Sequence, residues 1–398
     1  MSLTLLWVPL AMLGAYLTLY VLYQLLLFVA NAVIPEPPVQ PPSSIRRFNI
    51  VIPAHNEELH LPRLLESAVS QTYPPDRFRV TVIADNCTDN TVAACAGHDV
   101  TVLERHEPTR RSKGYAIGWA LERMPLHEFD AIVIVDGDSR IAADFLKELN
   151  LQMDRGDQVI QCYNGVGNPG RSWFTRVMNV SRTIANDILH PAKRKLGLSS
   201  HLMGNGMCFS VRVLKAHSWS AFSVGEDWEH YARLVTSGVA VGYSRHAKVY
   251  HEESVNLQQA SSQRLRWSGG RFEVLQRYGT RLLWQGIRTG DLKCLDAALP
   301  LIFPNPSLGI NLTLLGLAAA AAGAWFEGTS WAPTWFAVLV VAQVVMFLIG
   351  AMYTQEKAAS AASLVLAPLF LGWKLGIDVL SLLGIGRGEW KRTQRRAS

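Results

Sequence analysis

The apolar positions of this chain gather at its two ends, and between them lies a stretch in which short apolar runs alternate with amphipathic ones. From Leu3 to Val33 there is no charged residue. A helix needs roughly 20 apolar residues to cross a bilayer, so residues 1–33 predict one span. The segment lacks the early Lys or Arg and the short apolar core of a cleavable signal peptide, and it reads as a retained anchor. The "IPEPPVQPPSS" that follows cannot pack as helix or sheet and predicts a stiff linker over 34–45. A second apolar zone runs from near Ala297 to Ile385. Within it "LGINLTLLGLAAAAAGAW" and "WFAVLVVAQVVMFLIGAMY" each have spanning length, and the polar "FEGTS" between them predicts a helical hairpin. The last segment contains Pro368, Lys374 and Asp378, which leaves open a kinked span, a re-entrant segment or an interfacial helix.

The middle, 46–290, predicts a globule. "FNIVIP", "RVTVIAD", "VTVLE" and "AIVIVD" are strand-like, while "ELHLPRLLESAVSQ", "DNTVAACAG" and "KGYAIGWALERM" have helical apolar spacing. This alternation predicts a mostly parallel sheet with helices on both faces. Ligands of such sheets bind beyond the carboxyl ends of the strands. There the first strand runs into "PAHNEE", the second into "ADNCTDNT", and the fourth into Asp136-Gly137-Asp138. Aspartates often end strands in turns, and Asp89 or Asn90 can simply cap a helix. Convergence from three strands argues for a site.

Charge and cysteine content narrow the chemistry. The net charge is +6 over 398 residues. Arg46, Arg47 and the basic tail over 386–398 place both membrane flanks on the cytoplasmic side by the positive-inside rule, which requires an even number of crossings after the globule. No concentrated basic stripe suggests a nucleic-acid partner. The five cysteines show no metal-ligand pairing, and their odd number argues against a full disulfide set. Two carboxylates separated by one glycine fit a hard divalent cation that takes its remaining ligands from substrate phosphates. In "GEDWEHYARLVTSG", Glu226 and Asp227 open an amphipathic helix, where they either complement its dipole or supply a general base. In "QRLRW" a cation and a flat aromatic could hold a diphosphate and a sugar ring. A nucleotidyltransferase would carry a glycine-rich phosphate loop that is not evident near the first strand. A transporter would place charges inside its spans, where only Lys374 and Asp378 qualify. A non-catalytic membrane scaffold would need neither Asp227 nor Arg266.

Taken in order, Pro53-Ala54-His55-Asn56-Glu57-Glu58, Asp85-Asn86, Lys113-Gly114, Asp136-Gly137-Asp138, Gly225-Glu226-Asp227 and Gln263-Arg264-Leu265-Arg266-Trp267 resemble the membrane-bound family 2 glycosyltransferases. These include bacterial exopolysaccharide synthases and their cellulose, chitin and hyaluronan synthase relatives. The resemblance implies a GT-A fold in 46–290, a UDP-sugar donor, Mg²⁺ or Mn²⁺, and membrane or interfacial helices over 291–385. It implies that Pro53, Ala54, Asn56, Glu57, Asp85, Asn86 and Lys113 bind the nucleotide, with Asp85 on the uridine. Asp136 would contact the nucleotide or the metal, and Asp138 would hold the metal. Asp227, with Glu226 beside it, would take the acceptor proton. Gln263, Arg266 and Trp267 would line the donor and acceptor sites. The acceptor would be a growing glycan or a lipid-linked molecule at a bacterial inner membrane, with the catalytic domain in the cytoplasm. The few predicted spans make a polymer channel doubtful and keep a single-sugar glycolipid transfer as the alternative.

Overall fold

The computed structural model describes residues 4–36, 42–303, 305–327 and 330–385. The proline run at 37–41 and the basic tail beyond 385 lie outside the described residues. Eight strands form one sheet: β1 (Phe48–Ala54), β2 (Phe78–Asp85), β3 (Thr101–Arg105), β4 (Ala131–Ile134), β5 (Ser139–Ile141), β6 (Val159–Val166), β7 (Met207–Ser210) and β8 (Gly242–His251). Their order is β3-β2-β1-β4-β7-β6-β8-β5. β1 is parallel to both β2 and β4, and β2 is parallel to β3. The sheet is then mixed: β7 runs antiparallel to β4 and β6, β5 antiparallel to β8, and β6 parallel to β8.

Successive side chains of a strand face opposite ways, and in β1 both directions are apolar, as a strand covered on two faces requires. Ile50 and Ile52 join Leu61, Leu64, Leu65 and Phe145 in one core. Val51 joins Ile117, Phe209, Tyr231 and Leu234 in the other. The second core also takes in Cys294, Ala297, Ala298 and Leu301 of the helix Leu292–Ile302. The apolar stretch that begins near Ala297 therefore starts as part of the globule. "DNTVAACAG" differs from its helical reading as well, since it forms only the single turn Ala93–Cys95.

Among the described residues four helical segments are long and apolar enough to cross a membrane: Trp7–Val33, Pro306–Phe326, Trp331–Tyr353 and Lys357–Leu382. The first three pack on one another around Leu17, Tyr20, Ala320 and Phe336. The N-terminal helix also holds the globule directly, with Tyr16 donating to the Ile302 carbonyl at 2.8 Å and Asn31 to the Asp187 carbonyl at 3.0 Å. The fourth segment is broken into Lys357–Ser363, a short 3₁₀ turn and Ala367–Leu382. Its last part lies along the helix Leu257–Val274. Trp373 donates to the Ser261 hydroxyl at 3.0 Å, and Ser381 donates to the Leu265 carbonyl at 3.2 Å. Asp378 accepts from Ser268 at 2.9 Å and pairs with Lys374. Lys374 and Asp378 are both buried.

Candidate active site

β4 stops at Ile134, and the chain leaves the sheet through Val135 into Asp136-Gly137-Asp138. A neighbouring loop fixes this exit. Asp136 N–H donates to Asn205 Oδ1 at 3.0 Å, and the Asn205 amide donates to Ser139 Oγ at 2.9 Å. Gln161 holds the same loop, accepting from Met203 N–H and donating to the Asn205 carbonyl, both at 2.8 Å. Gly204, at the centre of that loop, has φ +80°, which favours glycine.

Lys113 opens the helix Lys113–Leu121, capped by Ser112. Its ammonium donates to the Gly204 carbonyl, pairs with Asp136 and lies 3.8 Å from Glu226. Burial pulls the Lys113 pKa down, but Asp136 and Glu226 more than offset this, and the net shift is upward. Glu226 and Asp227 begin the helix Glu226–Thr236. The start of that helix approaches the helix Leu257–Val274 at a glycine pair, since a Cβ on Gly270 would stand 2.8 Å from the Gly225 nitrogen. Burial pushes the Glu226 carboxyl up. Burial, followed by the charge of Glu226, pushes Asp227 up to about 7. One Asp227 oxygen accepts Trp228 N–H at 2.8 Å.

At the other rim, Asp85 ends β2 and accepts from Arg105 at 2.5 Å and from Asn86 at 2.8 Å. Asn56 and Asn86 both have positive φ, 57° and 51°, and both follow strand ends. This conformation is uncommon outside glycine, and Asn tolerates it best. Asn56 uses its side chain to accept from Thr88 N–H at 2.7 Å and to donate to the Thr88 hydroxyl at 3.1 Å.

These elements enclose a cavity of about 1030 Å³. Pro53, Ala54, Glu57, Asp85, Asn86, Lys113, Asp136, Asp138, Glu226, Asp227, Gln263, Arg266 and Trp267 all line it. Asn56 does not line it; its side chain instead braces the loop after β1 against the loop after β2. In the helix Leu257–Val274, Arg264 pairs with Glu253 at 2.6 Å and stacks its guanidinium over Trp267 at 4.5 Å from the ring centre. His251 is buried and faces Asn164 and Glu253.

The cavity also takes in residues that no motif in the sequence singles out. Arg182, His190, His201 and Trp228 line it, as do Gln24 and Phe28 of the N-terminal helix and Met346 and Phe347 of the helix Trp331–Tyr353. The one local signal is the π-helical turn Ile184–Leu189 beside His190, a feature often found at functional sites but invisible in a residue pattern.

Among the described residues no group of three or more His, Cys, Asp or Glu forms a metal cage. The two carboxylates of Asp136 and Asp138 nevertheless suit Mg²⁺ or Mn²⁺, hard cations that commonly take one or two protein carboxylates and complete their shell with phosphate and water.

A mixed sheet whose strand ends carry this cavity is the GT-A fold of glycosyltransferases. It is shared with the mannosyltransferase from Pyrobaculum calidifontis solved in complex with GDP-Man and Mn²⁺, which matches 90% of this chain and 98% of that one with a TM-score of 0.56 at 20% identity. Residues 46–270, more than half of the chain, match the family described as glycosyltransferase like family 2, and the chain belongs to that family. A beta-monoglucosyldiacylglycerol synthase of Nostoc sp. is 22% identical over 300 residues, covering 68% of this chain and 64% of the relative. The probable glycosyltransferase YdaM of Bacillus subtilis is 23% identical over 244 residues, covering 58% of this chain and 57% of the relative. The chain thus spans between about half and two thirds of the length of the curated relatives it matches.

Proposed function

We propose that this glycosyltransferase moves a sugar from a UDP-sugar to a hydroxyl of a membrane lipid, with inversion at the anomeric carbon. The observation that carries the acceptor class is the single cavity lined both by Asp136, Asp138 and Asp227 and by side chains of two apolar helices of spanning length. A lipid headgroup reaching the catalytic carboxylates would need such an opening, with apolar walls for its chains. The Nostoc relative's name makes a glucosyl donor and a diacylglycerol-based acceptor the first pair to test. Uridine is the nucleotide implied by the family resemblance. The alternative acceptor, a growing glycan, is favoured by Trp267 on the cavity wall, where an aromatic face can carry a sugar ring.

In this reading Asp85 and the loop after β1 hold the nucleotide, and Lys113 keeps Asp136 oriented at the diphosphate. Asp138, with Asp136 beside it, would hold Mg²⁺ or Mn²⁺. The ion, when bound, stabilises charge on the leaving diphosphate. Asp227 accepts the proton as the acceptor oxygen bonds to the anomeric carbon and the bond to the diphosphate breaks on the opposite face. Its raised pKa suits a base working near neutral pH. The catalytic face would lie in the cytoplasm, with Arg46 and Arg47 at the inner leaflet.

The test is UDP release by the detergent-purified chain against a panel of UDP-sugars, with and without Mn²⁺ or Mg²⁺. Metal-dependent release from one donor is expected. Asp227→Asn should lower it by about 10²- to 10⁴-fold while UDP still binds. Unchanged turnover in that variant would refute the role of Asp227.

A further inference from the structure

One side of the cavity is not used by the transfer chemistry above. It is walled by Leu27 and Phe28 of the N-terminal helix and by Ile184 and Leu189 of the π-helical turn. His190 and His201 line it as well. Burial holds both imidazoles well below their ordinary value, His190 down to about 3, so both are neutral at physiological pH. Lys193 is answered by Asp296 at 3.0 Å, a carboxylate that also accepts from the Tyr23 hydroxyl at 2.7 Å.

Arg182 is a different case. It lines the cavity together with Met178 and Ala185, one helical turn away on either side. Among the described residues no carboxylate lies within ion-pair distance of it. Its contacts are the Met203 sulfur at 4.0 Å and the Trp267 ring at 5.9 Å from the centroid. Burial pushes the guanidinium down to about 10 and Arg264 adds to the shift, while Glu253 and Asp227 act against it. An arginine stays protonated at any physiological pH, so the cost of half-burying this one is relieved by an anion brought to it.

Two anions could be involved, the donor diphosphate or a phosphate of the acceptor. The surroundings favour the second. The residues flanking it on that helical stretch pack against the apolar segments, Met178 in a cluster with Phe370 and Trp373 and Ile184 in one with Phe347 and Ala351, and Asp227 is among the charges that act on its guanidinium. It therefore belongs to the apolar side of the site, within electrostatic reach of the proposed base.

We propose that the accepting lipid carries a phosphate beside its nucleophilic hydroxyl, and that Arg182 binds this phosphate. The proposal rests on the transferase reading and names its acceptor class, which differs from the uncharged diacylglycerol in the Nostoc relative's name. The hydroxyl oxygen bonds to the anomeric carbon, its proton passes to Asp227, and UDP leaves. The acceptor phosphate is held by the guanidinium fork and is chemically unchanged.

The experiment uses the full chain with phosphatidylcholine vesicles doped with phosphatidylglycerol or with diacylglycerol of the same acyl chains, and follows labelled sugar into lipid. The expected kcat/KM for phosphatidylglycerol exceeds that for diacylglycerol by about ten- to a hundred-fold, the scale of a hydrogen bond to a charged group. Arg182→Gln removes the excess through the lipid KM, Arg182→Lys restores part of it, and UDP binding stays at the wild-type level in both. Equal use of the two lipids, an equal loss on both in Arg182→Gln, or a loss of UDP binding in that variant would overturn the proposal. Label in neither lipid while UDP binds in a metal-dependent way would overturn this proposal and leave the transferase reading standing. Absence of UDP binding in the wild type would overturn both.

Discussion

Glu226 and Asp227 are adjacent half-buried carboxylates, and the charges around them act with different weight. Lys113 lies 3.8 Å from Glu226 and favours its charged form, while Asp227 is raised by burial and then by Glu226 itself. A base with a pKa of about 7 is protonated below neutrality, so kcat/KM should fall as pH drops through about 7. Glu226→Gln removes the negative charge that raises Asp227. The acidic limb of the pH–rate profile should therefore move to lower pH, and a limb that stays in place or moves up would contradict the assignment. The same shift acts on stability. The folded pKa of Asp227 lies above the unfolded value of about 4, so the stability linked to its proton is complete below about 4 and is lost as pH rises towards about 7. Asp136, Lys113 and Asp227 were legible as candidates because each stands at a strand end or a helix start, where sequence pattern and site position coincide. Asn56 occupies such a position too, but its side chain is taken up in bracing the loop after β1 against Thr88 in the loop after β2. No motif singles out Arg182 or His201, because tertiary packing brings them to the cavity.

At the scale of elements, the parallel half of the sheet was readable from apolar runs buried on both faces. The pairing of the antiparallel half was not. β5 and β7 are only three and four residues long, too short to show a period. β7 matters to the site because the loop leading into it clamps the exit of β4. The helix Leu257–Val274, which carries Gln263, Arg266 and Trp267, is braced from behind by Ala367–Leu382 through the Lys374–Asp378 pair and Ser268. Breaking one side of a buried ion pair costs about 3–5 kcal/mol, whereas replacing both partners with apolar residues of similar size is often neutral. Asp378→Leu should accordingly lower the thermal midpoint of the solubilised protein, and Lys374→Met/Asp378→Leu should recover most of it. A double variant as unstable as the single would show that the pair contributes more than mutual neutralisation. This polar seam also bears on topology. Three candidate spans follow the globule, while the charge rule calls for an even number of crossings, and the segment tied to a catalytic-domain helix is the one best suited to lie at the interface. A cysteine at Gly376 should then react with a membrane-impermeant thiol reagent applied from the cytoplasmic face, and protection from that reagent would favour a full crossing.

For the whole molecule, helices long and apolar enough to cross a membrane form part of the cavity wall. The N-terminal helix was legible as one of spanning length from its uncharged run, but its place in the cavity wall depends on contacts with Ile302 and Asp187, residues distant in sequence. One cavity therefore joins the strand ends to helices of spanning length, the arrangement on which the proposed lipid acceptor rests. The most direct test is to incubate the purified chain with labelled UDP-glucose, Mn²⁺ and vesicles of phosphatidylglycerol and diacylglycerol, and to measure label in the organic phase after solvent extraction. The account predicts metal-dependent label in lipid from the wild type and about 10²- to 10⁴-fold less from Asp227→Asn. Label confined to a water-soluble glycan would contradict the lipid acceptor, and equal lipid labelling by Asp227→Asn would contradict the catalytic base.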